Sequence, residues 1–383
     1  MELDPKFARS IIKLGGESLK KCYQCATCSV ICPMSPDDNP FPRKEMIWAQ
    51  WGVKDRLLKD VDVWLCHHCN DCSEYCPRGA KPGEVLAALR AAQVQTYSWP
   101  SFIAKIFSHP ASFILFLAIP AILIYAVLQY AQANLGWGYI PEGEIIMSNF
   151  IPHIYIELAG FVVGGFVGLV SLISIYRFWN AITEGAGKVY DIEAIDDMEM
   201  EIKTRKGFWQ VFLTALWEIL THKRFKDCGT SNYRYFAHLM IFYGFILLGI
   251  STLGAVVYLQ MGKELALPPS DPVKVLGNIG FVLLFAGMTW VIFKRFTDTE
   301  RLGFGSYFDW FFLIILYLVV ISGIAIEAAR LAGSTSAYYI YLAHLVFVFT
   351  LLTYAPYSKF AHLLYRSIAY VYSESTGRKV EES

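Results

Sequence analysis

Residues 22–33, "CYQCATCSVICP", return forty-four positions later as "CHHCNDCSEYCP", residues 66–77. Both copies read C-x2-C-x2-C-x3-C-P, and together they hold eight of the nine cysteines in a chain of 383 residues. The N-terminus, "MELDPKFARS", has no apolar core behind a basic start and so does not read as a secretory signal. The cysteines are therefore expected in the cytoplasm, where clustered thiols act as metal ligands rather than as disulfides.

Three cysteines at intervals of three wrap one 4Fe-4S cubane, while the fourth, followed by proline, is carried away from it and ligates the other cluster of a two-cluster ferredoxin. That rule assigns Cys22, Cys25, Cys28 and Cys76 to one cluster, and Cys66, Cys69, Cys72 and Cys32 to the second. Zinc, the competing metal, uses paired C-x2-C knuckles and fits three cysteines in series poorly. His67 and His68 lie between ligands and are not expected to ligate. The flanking stretches "PRKEMIWAQWGVKDRLL" and "PGEVLAALRAAQVQT" are apolar at helical spacing, so residues 1–105 read as a small α-helical two-cluster ferredoxin domain.

Beyond it the composition changes. The whole chain is 55% hydrophobic, 16% aromatic and only 17% charged, a balance that indicates a membrane protein. Six apolar windows are long enough to cross about 30 Å of hydrocarbon: roughly 111–130, 154–176, 237–259, 275–293, 308–329 and 338–357. Backbone groups in lipid must be satisfied within the segment, so each reads as a helix. The expected fold is all-α: the ferredoxin domain followed, over residues 106–383, by a six-helix transmembrane cytochrome b bundle. Residues 207–222 are apolar at helical spacing but too short to span, which indicates an interfacial helix. Gly160, Gly164 and Gly168 form a small-residue face expected to receive another helix. The acidic run Asp191–Glu201 reads as a solvated loop, and Cys228 as a buried thiol.

Lys and Arg sort the connections. Residues 131–153 carry none, whereas 177–236 carry nine and 294–307 three. By the positive-inside rule the ferredoxin domain and both termini face the cytoplasm, in a multi-pass protein of the cytoplasmic membrane. The formal net charge is zero, so no basic field points to nucleic acid.

Histidines at membrane depth are the remaining candidates for chemistry. His344 and His362 are 18 residues apart, five full turns of one ideal helix, and so share a face at two depths. His238, at the start of the third apolar window, lies at the depth of His362. Two imidazoles from different helices at one depth are what bis-histidine haem ligation requires. For His344 the partner at equal depth is His153, at the head of the second window. His222 and His109 lie at the cytoplasmic surface, where His222 could line the inner site.

"LAHLVFVFTLLTYAPYSKFAH", Leu342 to His362, and "FAHLMIFYGF", around His238, resemble helices of the nitrate-reductase gamma subunit family, whose histidines ligate two b haems stacked across the membrane. Leu248 stands where that family has a second histidine after His238. The cysteine domain resembles the ferredoxin subunit of heterodisulfide reductase. The fusion of the two resembles the ferredoxin and cytochrome b subunit of the quinone-interacting membrane-bound oxidoreductase (Qmo) family. These resemblances imply two b haems, menaquinone as substrate, and two soluble flavin and iron-sulfur subunits as partners, with adenylylsulfate reductase receiving the electrons. By the same analogy the quinone sits near the outer haem, with Glu157, Asn278 and Glu327 as the polar residues for proton handling.

Two other readings stay open. One is a cytochrome b-ferredoxin component of a heterodisulfide- or sulfite-reductase-linked complex; the other is a haem-free membrane anchor for a soluble oxidoreductase. No Walker loop, nucleophile elbow or dinucleotide fingerprint is present, which argues against ATP use, hydrolysis and direct NAD binding.

Overall fold

The computed structural model describes residues 2–36, 39–133, 139–189, 208–222, 225, 232–263, 267–299 and 305–376. The acidic run 191–201 and Cys228 lie outside these residues. Among the described residues the chain is helical and has no strands.

The first eight helices are short and surround the cysteines. They are α1 (Pro5–Lys13), α2 (Thr27–Val30), α3 (Arg43–Trp51), α4 (Lys54–Leu58), α5 (Asp62–Leu65), α6 (Asp71–Glu74), α7 (Pro82–Tyr97) and α8 (Ser101–Phe107). Asp4 caps α1, accepting from the backbone N–H of Lys6 and Phe7. Helix α3 ends on Gly52 in the left-handed region. A side chain at Gly52 would run into the Asp4 backbone, so the position requires glycine.

Helix α7 is the axis of this part and buries Val85, Leu86, Leu89 and Val94. Its Gln93 is fully buried, donating to the carbonyls of Leu57, Leu58 and Asp60 and accepting from the Trp64 indole. One amide thereby satisfies the carbonyl end of α4 and ties α5 to it.

The bundle consists of α9 (Ser112–Ala131), α11 (His153–Val189), α13 (Asn232–Gln260), α14 (Pro272–Thr297), α15 (Tyr307–Leu331) and α16 (Ser336–Thr353). These six are long and apolar enough to cross a membrane. Short α10 (Met147–Phe150) precedes α11, while α12 (Phe208–Thr221) and α17 (His362–Ser375) lie at the ferredoxin end. Large apolar side chains such as Phe161 and Leu172 are exposed, as lipid-facing residues are.

Three features differ from the sequence expectation. First, α11 has 37 residues, about 55 Å at 1.5 Å per residue and nearly twice the hydrocarbon thickness. Its C-terminal part runs on into the ferredoxin core, where Phe178 and Ile182 are buried with Leu57, Leu86 and Tyr365. Second, the face of Gly160, Gly164 and Gly168 meets nothing among the described residues. The close crossing is instead between α13 and α14: a Cβ on Gly280 would lie 2.9 Å from the Gly244 carbonyl oxygen, and one on Gly287 2.8 Å from that of Ala237. Third, no single helix carries both His344 and His362. Helix α16 stops at Thr353, two 3-10 turns around Pro356 follow, and His362 begins α17. Proline lacks the N–H and disfavours helical backbone in the residue before it, so the chain turns there.

Candidate functional site: cysteine quartets beside a histidine pocket

The two cysteine runs repeat in backbone as well as in sequence. The residues on either side of the middle cysteine, Gln24 and Ala26 in the first run and His68 and Asn70 in the second, all have positive φ. Each run then enters a one-turn helix, α2 or α6. This loop turns backbone N–H groups toward the sulfurs, and the His68 amide lies 3.2 Å from Cys66 Sγ.

The structure groups the thiols in two quartets. Cys28 feels the charge of Cys22, Cys25 and Cys76, while Cys72 feels that of Cys66, Cys69 and Cys32 more than that of Cys28. Cys32, Cys66, Cys69 and Cys72 line one enclosed cavity with Met34, Phe41 and Leu86. Burial and the neighbouring thiolates push Cys28 up to about 11, and Cys32 and Cys72 also rise for the same reasons. Exposed Cys25 moves the other way because the Thr27 hydroxyl and amide stabilise its thiolate. Four thiolates around one site repel one another when ionised, and a 4Fe-4S cluster is a cationic core that such a donor set can hold.

Behind the second quartet lies a pocket at the base of the bundle, lined by His67, Glu218, His222, Phe225, His238, Phe242, His362, Arg366 and Tyr370. His238 from α13 and His362 from α17 face each other with ring centroids 6.3 Å apart and planes at 83°. Two metal–nitrogen bonds of about 2 Å plus the ring radii on either side come to about 6 Å, so the separation suits one metal held between them. His362 Nδ1 lies 2.7 Å from the Lys359 carbonyl oxygen, which can only accept. The proton is therefore on Nδ1 and the Nε2 lone pair is available, the second-sphere pattern of ligating histidines. Burial holds His362 down to about 4, so it is neutral at physiological pH. His238 Nδ1 is buried without a hydrogen bond among the described residues. His222 joins the same pocket, 4.8 Å from His238.

His67 belongs to both cavities and is nearly buried. Arg366 Nη2 donates to its Nδ1 at 2.7 Å, and the Phe225 ring packs edge-on at 4.7 Å, itself 5.3 Å from His238. Arg366 lies one helical turn beyond His362 and therefore on the same face of α17. Arg366, Arg234 and Arg90 are not legible as site residues in the sequence, because each acts on a partner far away in the chain. The i, i+4 spacing of Arg366 from His362 was the one local signal.

The other candidates lie at the opposite end or elsewhere. His344 Nδ1 is 2.9 Å from Ser322 Oγ, and that hydroxyl gives its hydrogen to the Leu318 carbonyl at 2.6 Å. The imidazole is thus the donor, leaving Nε2 as an acceptor. Gly323 lets the ring approach α15, since a Cβ there would touch it at 3.4 Å. His153 is exposed at the head of α11, and no ring contact joins it to His344 among the described residues. Glu157 accepts from Gln260 at 3.1 Å, and its second oxygen is buried without a hydrogen bond among the described residues. Glu327 is paired with Lys274 and with Arg330, the latter at 3.2 Å. Asn278 is exposed on α14. These three residues line neither of the cavities described above, and His109 is exposed near the start of α9.

Residues 18–80 match the 4Fe-4S dicluster domain, and residues 113–381 match the family described as citrate utilization protein B. The Citrate utilization protein B of Escherichia coli is 27% identical over 365 residues, 91% of this chain and 88% of its own length. The heterodisulfide reductase C-subunit-like protein of Archaeoglobus profundus is 39% identical over 98 residues, 25% of this chain and 52% of that protein. The C-subunit of the H(2):CoB-CoM heterodisulfide,ferredoxin reductase of Methanothermobacter marburgensis is 37% identical over 89 residues, 23% of this chain and 48% of that protein. The chain thus spans about half the length of these heterodisulfide reductase relatives.

Proposed function

The chain belongs to the citrate utilization protein B family, and from that premise we propose that it is the membrane subunit of a respiratory complex, passing single electrons between menaquinone in the bilayer and soluble flavin and iron-sulfur subunits. The observation that carries this reading is the facing pair His238 and His362, 6.3 Å apart, in a pocket that shares His67 with the cavity of the second cysteine quartet.

When bound, a b haem and two 4Fe-4S clusters supply one-electron transfer at fixed positions. Cys22, Cys25, Cys28 and Cys76 would hold one cluster, and Cys66, Cys69, Cys72 and Cys32 the other. His238 and His362 would hold the inner haem; Lys359 orients the His362 ring, and apolar neighbours such as Phe225 and Phe242 keep water from it. His67 and Arg366 fill the gap between that pocket and the Cys66–Cys69 turn and fix its width. His344 presents an available Nε2 deeper in the bundle and would hold an outer haem there; exposed His153, the second ligand expected from depth, makes no ring contact with it among the described residues.

Protons released by a quinol need an acceptor at the far end. Glu157 suits this better than Glu327, whose charge is engaged by Lys274 and Arg330. The Lys and Arg distribution supports a cytoplasmic position for the ferredoxin part. The heterodisulfide reductase likeness supports soluble oxidoreductase subunits as partners; adenylylsulfate reductase as the electron acceptor rests on the resemblance to the Qmo family alone. The match along nearly the whole of a citrate utilization protein favours a second reading of the partner, a soluble enzyme of citrate utilization.

The test is anaerobic addition of menadiol to the full chain in lipid nanodiscs, following the visible absorbance of the clusters. The wild type is expected to bleach. His362→Leu should lose quinol-driven bleaching by at least tenfold while dithionite still reduces its clusters. A wild type that stays oxidised, or a His362→Leu protein that bleaches at the same rate, contradicts the proposal.

A further inference from the structure

Three guanidinium groups from three separate elements converge on the Cys66–Cys69 turn. Arg90 of α7 donates to the carbonyls of Val63 and Cys66, both at 2.7 Å. Arg366 of α17 donates to His67 Nδ1 at 2.7 Å and to the Leu65 carbonyl at 3.5 Å. Arg234 of α13 donates to the His68 carbonyl. Two of these cations come from the membrane part, so the contact that docks the two halves is also the one that brings positive charge to the second quartet.

The first quartet is placed differently. Cys25 is exposed, and the cations beside it, Arg43 on the Gln24 carbonyl and Arg78 over the Tyr23 ring at 3.9 Å, are exposed as well. Solvent screens a surface charge, whereas a partly buried charge of equal size acts through a lower dielectric and is felt several-fold more strongly; the same burial opposes added negative charge at this quartet, and the guanidiniums are the groups that offset it. Acidic groups near the second quartet only partly offset its cations. Asp309 pairs with Lys359, and Asp62 with Lys44. Buried Asp71 lies within the run itself and subtracts from the sum.

We propose that Arg90, Arg234 and Arg366 hold the reduction potential of the cluster bound by Cys66, Cys69, Cys72 and Cys32 above that of the other cluster, so that an electron entering the pair rests beside the histidine pocket. Reduction adds one negative charge to a cluster without making or breaking a bond, and the nearby guanidiniums stabilise the charge where it is added. Moving that electron outward oxidises this cluster by one electron and reduces the first cluster by one. The inference rests on the iron-sulfur part of the function proposed above, and on neither haem nor quinone.

The experiment is a potentiometric titration of the full chain in detergent, read by electron paramagnetic resonance, comparing wild type with Arg366→Gln, Arg366→Lys, Arg234→Gln and the surface control Arg78→Gln. Two waves are expected. Arg366→Gln and Arg234→Gln should each lower the reduction equilibrium of the upper wave about tenfold, equivalent to about 59 mV for one electron. Arg366→Lys should restore most of that loss, which lost packing alone would not allow, and Arg78→Gln should move neither wave. Should Arg366→Gln lose iron, Arg234→Gln decides, because its guanidinium meets the run at a backbone carbonyl. An upper wave that stays in place in iron-loaded variants, or a lower wave that falls instead, overturns the proposal. A chain without quinol reactivity would still give both waves, so the two proposals fail separately.

Discussion

Glu45 is fully buried beside Asp60 and Asp62, and among the described residues Lys44 supplies positive charge to all three carboxyls. Burial, and then the Asp60 charge, push the Glu45 carboxyl well above its ordinary range. The folded state therefore keeps a proton that the unfolded chain releases above about pH 4.3. Folding stability is lost as pH rises from that value toward the raised folded value. Glu45→Gln removes this slope: melting in detergent between about pH 5 and pH 8 should show the wild type losing stability relative to the variant. Equal slopes would contradict it.

Cys76→Ser should perturb the same cluster signal as Cys28→Ser, and Cys32→Ser the same signal as Cys72→Ser, each with loss of up to about four irons. If Cys32→Ser and Cys28→Ser altered one shared signal, the crossed grouping would be wrong. The cysteines were legible because their chemistry depends on spacing along the chain. Gln93, Arg90 and Arg366 were not, because they serve backbone carbonyls that only the fold brings near.

At the scale of the element, apolar length identified the six spanning helices, since lipid imposes both helicity and a minimum length. Where a helix ends is a different question. Helix α11 continues past Arg177 because Phe178 and Ile182 find an apolar core in the ferredoxin part, and α16 ends early because of Pro356. Glycine spacing misled for a related reason. The Gly160 face meets nothing among the described residues, whereas Gly280, without a regular repeat, is where two backbones touch. Gly280→Ala should cost about 1–3 kcal/mol through overpacking, and Gly164→Ala should be neutral or slightly stabilising because alanine favours the helix. Thermal melts of the two variants in one detergent check the contrast; equal effects would contradict the crossing.

At the scale of the molecule, the ferredoxin part is continuous with the bundle. The end of α11 and α17 enter its core, and Tyr365 stacks on Trp64 with ring centroids 5.0 Å apart. That shared core places the second quartet against the histidine pocket, a juxtaposition that no spacing along the chain reveals. That His238 and His362 come together was legible by depth, although the reason first given for His362, one continuous helix with His344, does not hold. What fixes His362 is the turn before it and the carbonyl of Lys359.

In the function proposed above, His238 and His362 hold a haem beside two cubanes. The most direct test is a pyridine-haemochrome spectrum with iron quantified on the purified full chain and on His362→Leu. At least one b haem per chain is expected, one fewer in the variant, and about eight non-haem irons in both. A wild type without haem, or a variant with the same haem content, would contradict it.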